Sequence, residues 1–256
     1  MGFVFRTLLT TLLLLPLDAL ACGNVASRGR IIRVASVEEA VTITYLGHAS
    51  FHIVTPRGTG AVTDYSGSHV PDTVPDLVTM NHAHSTHFTD VADARIRHVL
   101  RGWAVDGKPA HHDLRVGDLR VRNIPTNIRN WGGGTEYYGN SIFVFEAAGL
   151  CIAHLGHLHH LLNDDDMAEL GSIDVLMTPI DGSFTVDQAD MVAIVAQIHP
   201  RLLLPMHYFS ESTLRRFLAG VSDRFDIRVS PERSTTVSRA TLPAVPQVLV
   251  LPGPMY

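Results

Sequence analysis

Several short apolar runs in this chain stop at histidine. Leu77–Met80 leads into NHAHSTH, which carries His82, His84 and His87; Cys151–Leu155 contains His154 and is followed by His157; Leu202–Pro205 leads into PMHY with His207. Apolar, β-branched runs of this length read as buried strands, so the imidazoles fall on loops at strand ends. A fold that satisfies this pattern must collect those ends at one edge of a sheet. Neutral imidazole is the commonest protein ligand for zinc, copper, nickel and iron, and close spacing lets one loop supply several nitrogens at little extra ordering entropy. The pattern predicts a two-metal site.

With 256 residues, 46% of them hydrophobic and 18% charged, the chain can bury a core of its own, and one domain over residues 39–256 is expected. A net charge of -5 without a basic run leaves no footprint for nucleic acid, and a small-molecule substrate is the expected partner. Residues 1–21 read as a secretory signal: Arg6, an apolar stretch over Leu8–Leu17, then Ala19 and Ala21 around Leu20. Export follows, to the periplasm or to a membrane anchor on the extracytoplasmic side. Residues 22–38 read as a linker opening on Cys22. Either cleavage precedes Cys22, or Cys22 carries a lipid that attaches the protein to the membrane. Cys151 lies in an apolar run and reads as a small buried hydrophobe, and two cysteines are too few for a disulfide framework.

Along the chain, strands are expected at Val41–Leu46, Phe51–Thr55, Ala61–Thr63, Leu77–Met80, His98–Leu100, Leu114–Val116, Leu119–Ile124, Ser141–Glu146 and Cys151–Leu155. A glycine-rich loop, WGGGTEYYG, precedes Ser141–Glu146, and its Trp131, Tyr137 and Tyr138 read either as an aromatic wall beside a site or as ordinary surface contacts. The rhythm then changes to alternating elements: helices at Asp164–Leu170, Val186–Ile198 and Ser212–Leu218, with strands at Asp174–Pro179, Leu202–Pro205 and Phe225–Val229. An antiparallel half followed by an αβ half points to a layered α/β sandwich.

The segments YLGHASF (45–51), TD (63–64), PDLVTMNHAHSTHF (75–88), GNSIFVFEAAGLCIAHLG (139–156), DVLMTPIDGSFT (174–185) and PRLLLPMHY (200–208) together resemble the metallo-β-lactamase superfamily, in its branch related to bacterial ascorbate-lactone hydrolases. That resemblance implies a four-layer αββα sandwich with two metals at the loop edge. It also implies that His82, His84 and His154 hold one ion, while His87 and His207 hold the other. Both aspartates that complete such a set are missing: Thr86 stands in the motif His-x-His-x-Asp-His, and His157 replaces the bridging aspartate.

Two dications surrounded only by neutral imidazoles repel more strongly at the ~3.5–4 Å spacing of two-metal sites. Three histidines per ion, with His157 joining His87 and His207, is the arrangement expected here. Three nitrogens and an open position suit zinc, and copper or iron as well. Asp181 is the candidate carboxylate, as a general base or as support behind the ligands, while Asp64 is expected to support the histidine loop. By resemblance His48 faces the site as a supporting donor or substrate contact. Thr86 is expected to cap its loop. His159 and His160 read as neighbours of the ligand loop. The leading functional expectation is an exported metal-dependent hydrolase of an ester, lactone, amide or phosphodiester. Its rivals are a copper or iron oxidoreductase and a non-catalytic metal-binding protein.

Overall fold

The structure, a computed structural model, describes Cys22, residues 39–130 and residues 132–254. The expected signal peptide, linker residues 23–38 and Trp131 lie outside the described residues. In chain order the elements are β1 (Val41–Gly47), β2 (Ser50–Val54), β3 (Gly60–Val62), β4 (Leu77–Met80), β5 (His98–Arg101), β6 (Asp113–Val116), β7 (Leu119–Arg129), β8 (Thr135–Ala147), β9 (Leu150–His154), α1 (Asp164–Leu170), β10 (Val175–Pro179), α2 (Gln188–Ile198), β11 (Leu202–Met206), α3 (Glu211–Val221), β12 (Asp226–Val229), β13 (Ser234–Val237) and β14 (Gln247–Val250).

Two sheets stack face to face. The first has the order β13-β1-β2-β3-β4-β5 and the second β12-β14-β11-β10-β9-β8-β7-β6. Alternation decides which side chains meet between them. Ile43, Phe51 and Ile53 of the first sheet pack on Phe143, Phe145, Ile152, Met177 and Leu204 of the second. Each such side chain contributes roughly 1.5–3 kcal/mol by leaving water. The opposite face of the second sheet buries Leu176 and Leu203 against Met191, Ile194 and Phe217 of the helices. On the outside of the first sheet Val62, Val78 and Met80 lie under Tyr65, Phe88, Ile96 and Trp103. Among the described residues that outer layer is therefore loop, and the helices all cover the second sheet. The architecture is the expected α/β sandwich.

β9, β10 and β11 run parallel, and all three are buried along their length. Strands covered on both faces need continuous apolar sequence, which is why VLMTP and LLLPM carry no polar alternation. Parallel strands also place their carboxyl ends at one edge, where open α/β sheets bind ligands. His207 directly follows the end of β11, and Asp181 lies two residues past the end of β10. Helix starts are set by side-chain caps: Asn163 with Asp166 for α1, Asp187 for α2 and Ser210 for α3.

Three features depart from the sequence reading. β7 and β8 continue past Ile124 and begin before Ser141, so the expected glycine-rich loop is the tip of a long hairpin, closed by Asn130, whose Oδ1 accepts from Gly132 and Gly134 N–H. β13 and β14 pair with β1 and with β11 and β12, where no strand was expected. Finally, Cys22 and Cys151 form a disulfide with a Cα–Cα separation of 5.9 Å. This corrects the reading of Cys151 as a free buried thiol and the exclusion of a disulfide by count. It also corrects the lipidated form of Cys22, because a sulfur bonded to Cys151 cannot carry a thioether lipid. Cysteine count carries no information on which distant segments meet.

Candidate metal centre

Three loops bring histidines together by tight backbone geometry. His48 sits in the turn between β1 and β2 at φ 51, and its carbonyl accepts from His207 N–H at 2.8 Å and Tyr45 O–H at 2.9 Å. His207, just past β11, is also left-handed at φ 51, and so is Asp64 after β3 at φ 45. A non-glycine residue held there stores on the order of 1–3 kcal/mol of strain, which the surrounding hydrogen bonds sustain. The loop after β4 curls so that His87 N–H reaches the His84 carbonyl and His84 N–H the His82 carbonyl.

Carboxylates and carbonyls behind the rings settle which nitrogen points inward. His87 Nδ1 donates to Asp64 Oδ2, His207 Nδ1 to Asp181 Oδ1 and His82 Nδ1 to the Gly139 carbonyl, each at 2.9 Å. The Nε2 lone pairs of these three rings are left free, the arrangement in which an outer partner fixes a ligand histidine. His87 Nε2 and both ring nitrogens of His48 are buried without any hydrogen-bond partner. Donor atoms of His48, His87 and His207 all lie within 4.8 Å of one another. A buried nitrogen left unpaired costs about 1–3 kcal/mol, so two such rings, His48 and His87, converging with His207 fit a cation.

Of the six histidines expected to bind metal, His82, His84, His87, His157 and His207 gather here and His154 does not. His154 ends β9 in phase with Leu150 and Ile152, so its ring enters the space between the sheets. There Nε2 donates to the Ala49 carbonyl at 2.8 Å, while Nδ1 faces Asn81 Nδ2 at 3.2 Å and Gly156 N–H at 3.1 Å. Both nitrogens are spent on the core, and strand parity is the reason. His157 lies among the others: its ring centroid is 4.7 Å from that of His87, 5.0 Å from His82 and 5.1 Å from His207. His84 is exposed and its Nδ1 pairs with Thr86 Oγ1 at 2.9 Å, so Thr86 orients a histidine.

Asp181 stands behind His207. Its Oδ1 also accepts from Thr185 O–H, and Oδ2 accepts from the Ser183, Phe184 and Thr185 N–H groups, which leaves no oxygen for a general base. Burial alone would raise its carboxyl, but the hydrogen bonds from His207 Nδ1, the Thr185 hydroxyl and the Ser183 N–H hold it far below the usual range. Burial, reinforced by the neighbouring rings, pushes His87 and His157 well below the ordinary histidine value and His48 down to about 4. Burial lowers His82 too. Neutral rings are the form that donates lone pairs.

His48, His82, His157 and His207 open onto a cleft of about 770 Å³ whose walls include Ile128, Arg129, Phe184 and Phe209. The hairpin tip of β7–β8 thus reaches the site. Phe184 and Phe209, 57% and 38% exposed, meet edge to face at 5.7 Å on its rim. Neither phenylalanine was singled out from sequence, since a lone exposed aromatic carries no periodic signal. Tyr137 and Tyr138 are exposed on β8 and do not line the cleft. His159 does line it, and burial followed by the Arg129 charge lowers its imidazole to about 4. His48, expected as a supporting contact, is one of the three converging donors.

Comparison with known proteins places this arrangement. Residues 42–207 match the family described as "Beta-lactamase superfamily domain". A UPF0173 metal-dependent hydrolase of Carboxydothermus hydrogenoformans is 28% identical over 190 residues, covering 65% of this chain and 84% of its own. Among solved structures, a metallo-β-lactamase superfamily protein from Thermotoga maritima aligns with a TM-score of 0.61 at 22% identity, over 82% of this chain and 98% of that one. CmlA, a diiron β-hydroxylase from Streptomyces venezuelae, shares the fold with a TM-score of 0.57 at 12% identity, over 77% of this chain and 54% of its own. With strand order, layering and the matched segment in agreement, the chain belongs to the metallo-β-lactamase superfamily.

Proposed function

We propose that this protein is an exported metal-dependent hydrolase of a small-molecule ester, lactone, amide or phosphodiester, whose ion is held by His48, His87 and His207. The observation that carries the reading is the convergence of three buried imidazoles, two of them backed by Asp64 and Asp181. When bound, a divalent transition metal, zinc before copper or iron, would supply Lewis acidity and an activated water at neutral pH.

The chain's own part is orientation. Asp64 and Asp181 hold a proton on Nδ1 of His87 and His207, so their Nε2 lone pairs stay aimed at the common point. His82 and His157 border that point and are the candidates for a second, weaker ion. The aromatic rim of Phe184 and Phe209 offers an apolar surface for the non-reacting part of a substrate. Export is supported by the N-terminal signal pattern and by the Cys22–Cys151 disulfide, which persists in oxidising compartments.

Protein purified from its exported fraction without chelator should contain at least one transition-metal ion per chain and hydrolyse p-nitrophenyl acetate or bis-p-nitrophenyl phosphate. His87→Ala should lose the metal and the activity together. A folded wild-type protein free of metal would overturn the proposal. An oxidative reading is favoured by one observation, that every converging donor is an imidazole; a visible absorption band and oxygen uptake in the metal-loaded protein would select it.

A further inference from the structure

One ring in the cleft is held the opposite way round from the others. His159 Nδ1 accepts the backbone N–H of Arg129 at 3.0 Å and, more distantly, its Nε–H at 3.4 Å. The guanidinium is itself anchored, with Nη2 donating to the Thr185 carbonyl at 2.8 Å. Amide and guanidinium nitrogens only donate, so Nδ1 must carry the lone pair and the proton of the neutral ring sits on Nε2. Nε2 is buried and has no partner, although the ring forms part of the cleft wall 4.9 Å from the ring of His157. In His82, His87 and His207 the Nδ1 proton faces outward and a lone pair faces the centre. In His159 the nitrogen left without a partner is a donor and cannot ligate a cation.

We propose that His159 binds the substrate, its Nε2–H donating to the oxygen on which negative charge develops, a carbonyl oxygen of an ester or amide or a phosphoryl oxygen. This rests on the hydrolytic reading of the cleft. A donor fixed before the reaction is worth most in a water-poor cleft, where it stabilises the transition state more than the ground state. Arg129 is the positioning residue: its backbone amide and side chain together lock the tautomer. The partnerless N–H is then the consequence of a site that pairs it only when a ligand oxygen arrives.

The test uses the zinc-loaded, 15N-labelled protein with inorganic phosphate and acetate as probes. Histidine ring spectra should place the His159 proton on Nε2, and phosphate, acetate or both should shift that signal. His159→Phe, which keeps the ring shape without the donor, should weaken binding of the responsive probe about tenfold or more, with metal content and melting temperature unchanged. His159→Gln, which restores a donor near the same place, should regain most of the affinity. With p-nitrophenyl acetate the Phe variant should lose kcat with KM little altered. The probe that responds distinguishes a phosphoryl from an acyl substrate.

A proton found on Nδ1, no binding of either probe to wild type, or equal affinity in the Phe variant would overturn the proposal. Should the Phe variant fail to fold, the wild-type spectrum and the Gln variant decide. Binding that depends on His159 in a protein that hydrolyses nothing would leave the donor standing and remove the hydrolytic reading. Undiminished hydrolysis and binding in the Phe variant would remove the donor alone.

Discussion

At the scale of single residues, the difference between His87 and His154 is where each ring nitrogen is spent. His87 commits Nδ1 to Asp64 and leaves Nε2 unpaired, while His154 has all its polar contacts inside the core. His154→Ala should therefore cost about 2–5 kcal/mol in urea unfolding, from the cavity and the stranded partners, without lowering the metal bound per folded chain. Asp181 is a support whose loss should be felt at the metal. Asp181→Asn exchanges an acceptor-only group for one that also donates, against the donors of Ser183, Phe184, Thr185 and His207. Chelator competition should find zinc affinity about 10–100-fold weaker.

At the scale of elements, the turn that follows β9 decides how His157 enters the site. Gly156 has φ 59, and a Cβ there would lie 2.5 Å from both Asn140 Oδ1 and Asn81 Nδ2. Those two asparagines are the scaffold of the edge: Asn140 Oδ1 accepts His157 N–H at 2.8 Å, and Asn81 Nδ2 donates to the Ser141 carbonyl at 2.8 Å. Gly156→Ala combines a left-handed backbone with overpacking of buried amides and should destabilise by more than about 2 kcal/mol, measured by urea unfolding. Its retained metal should also be lower than that of His154→Ala, because the loop bearing His157 must shift.

At the scale of the molecule, stability should respond to redox and to pH. The Cys22–Cys151 bond spans a sequence separation of 129 residues, for which the chain-entropy model gives about 4–5 kcal/mol through restriction of the unfolded state. Cys151→Ala or reduction should lower the urea midpoint accordingly, with metal stoichiometry unchanged in the folded fraction. The histidine cluster sets the pH response of metal-free protein. His48 and His159 fall to about 4 in the folded state from an ordinary 6.5, so the unfolded chain takes up their protons first as pH drops. A depressed histidine contributes no penalty above 6.5, and stability is lost progressively as pH falls from about 6.5 towards 4. Melting temperature measured across that range should decline, and zinc, which binds only the deprotonated rings of the folded state, should raise the whole curve while leaving the decline at least as steep.

The sequence by itself determined the sandwich class, the buried central strands and the edge at which histidines collect, because apolar runs that end at imidazoles state both burial and position. His82, His87 and His207 were legible on those grounds. Other decisions belonged to tertiary structure alone. Whether His154 faces metal or core depends on strand parity against a sheet distant in sequence. That His48 converges with His87 and His207 depends on a turn docking against the end of β11. The pairing of Cys22 with Cys151, the reach of the β7–β8 hairpin into the cleft and the inverted tautomer of His159 all depend on contacts between remote segments. Local sequence specifies local geometry, whereas a site is a meeting of loops whose separation along the chain carries no record of their distance in space.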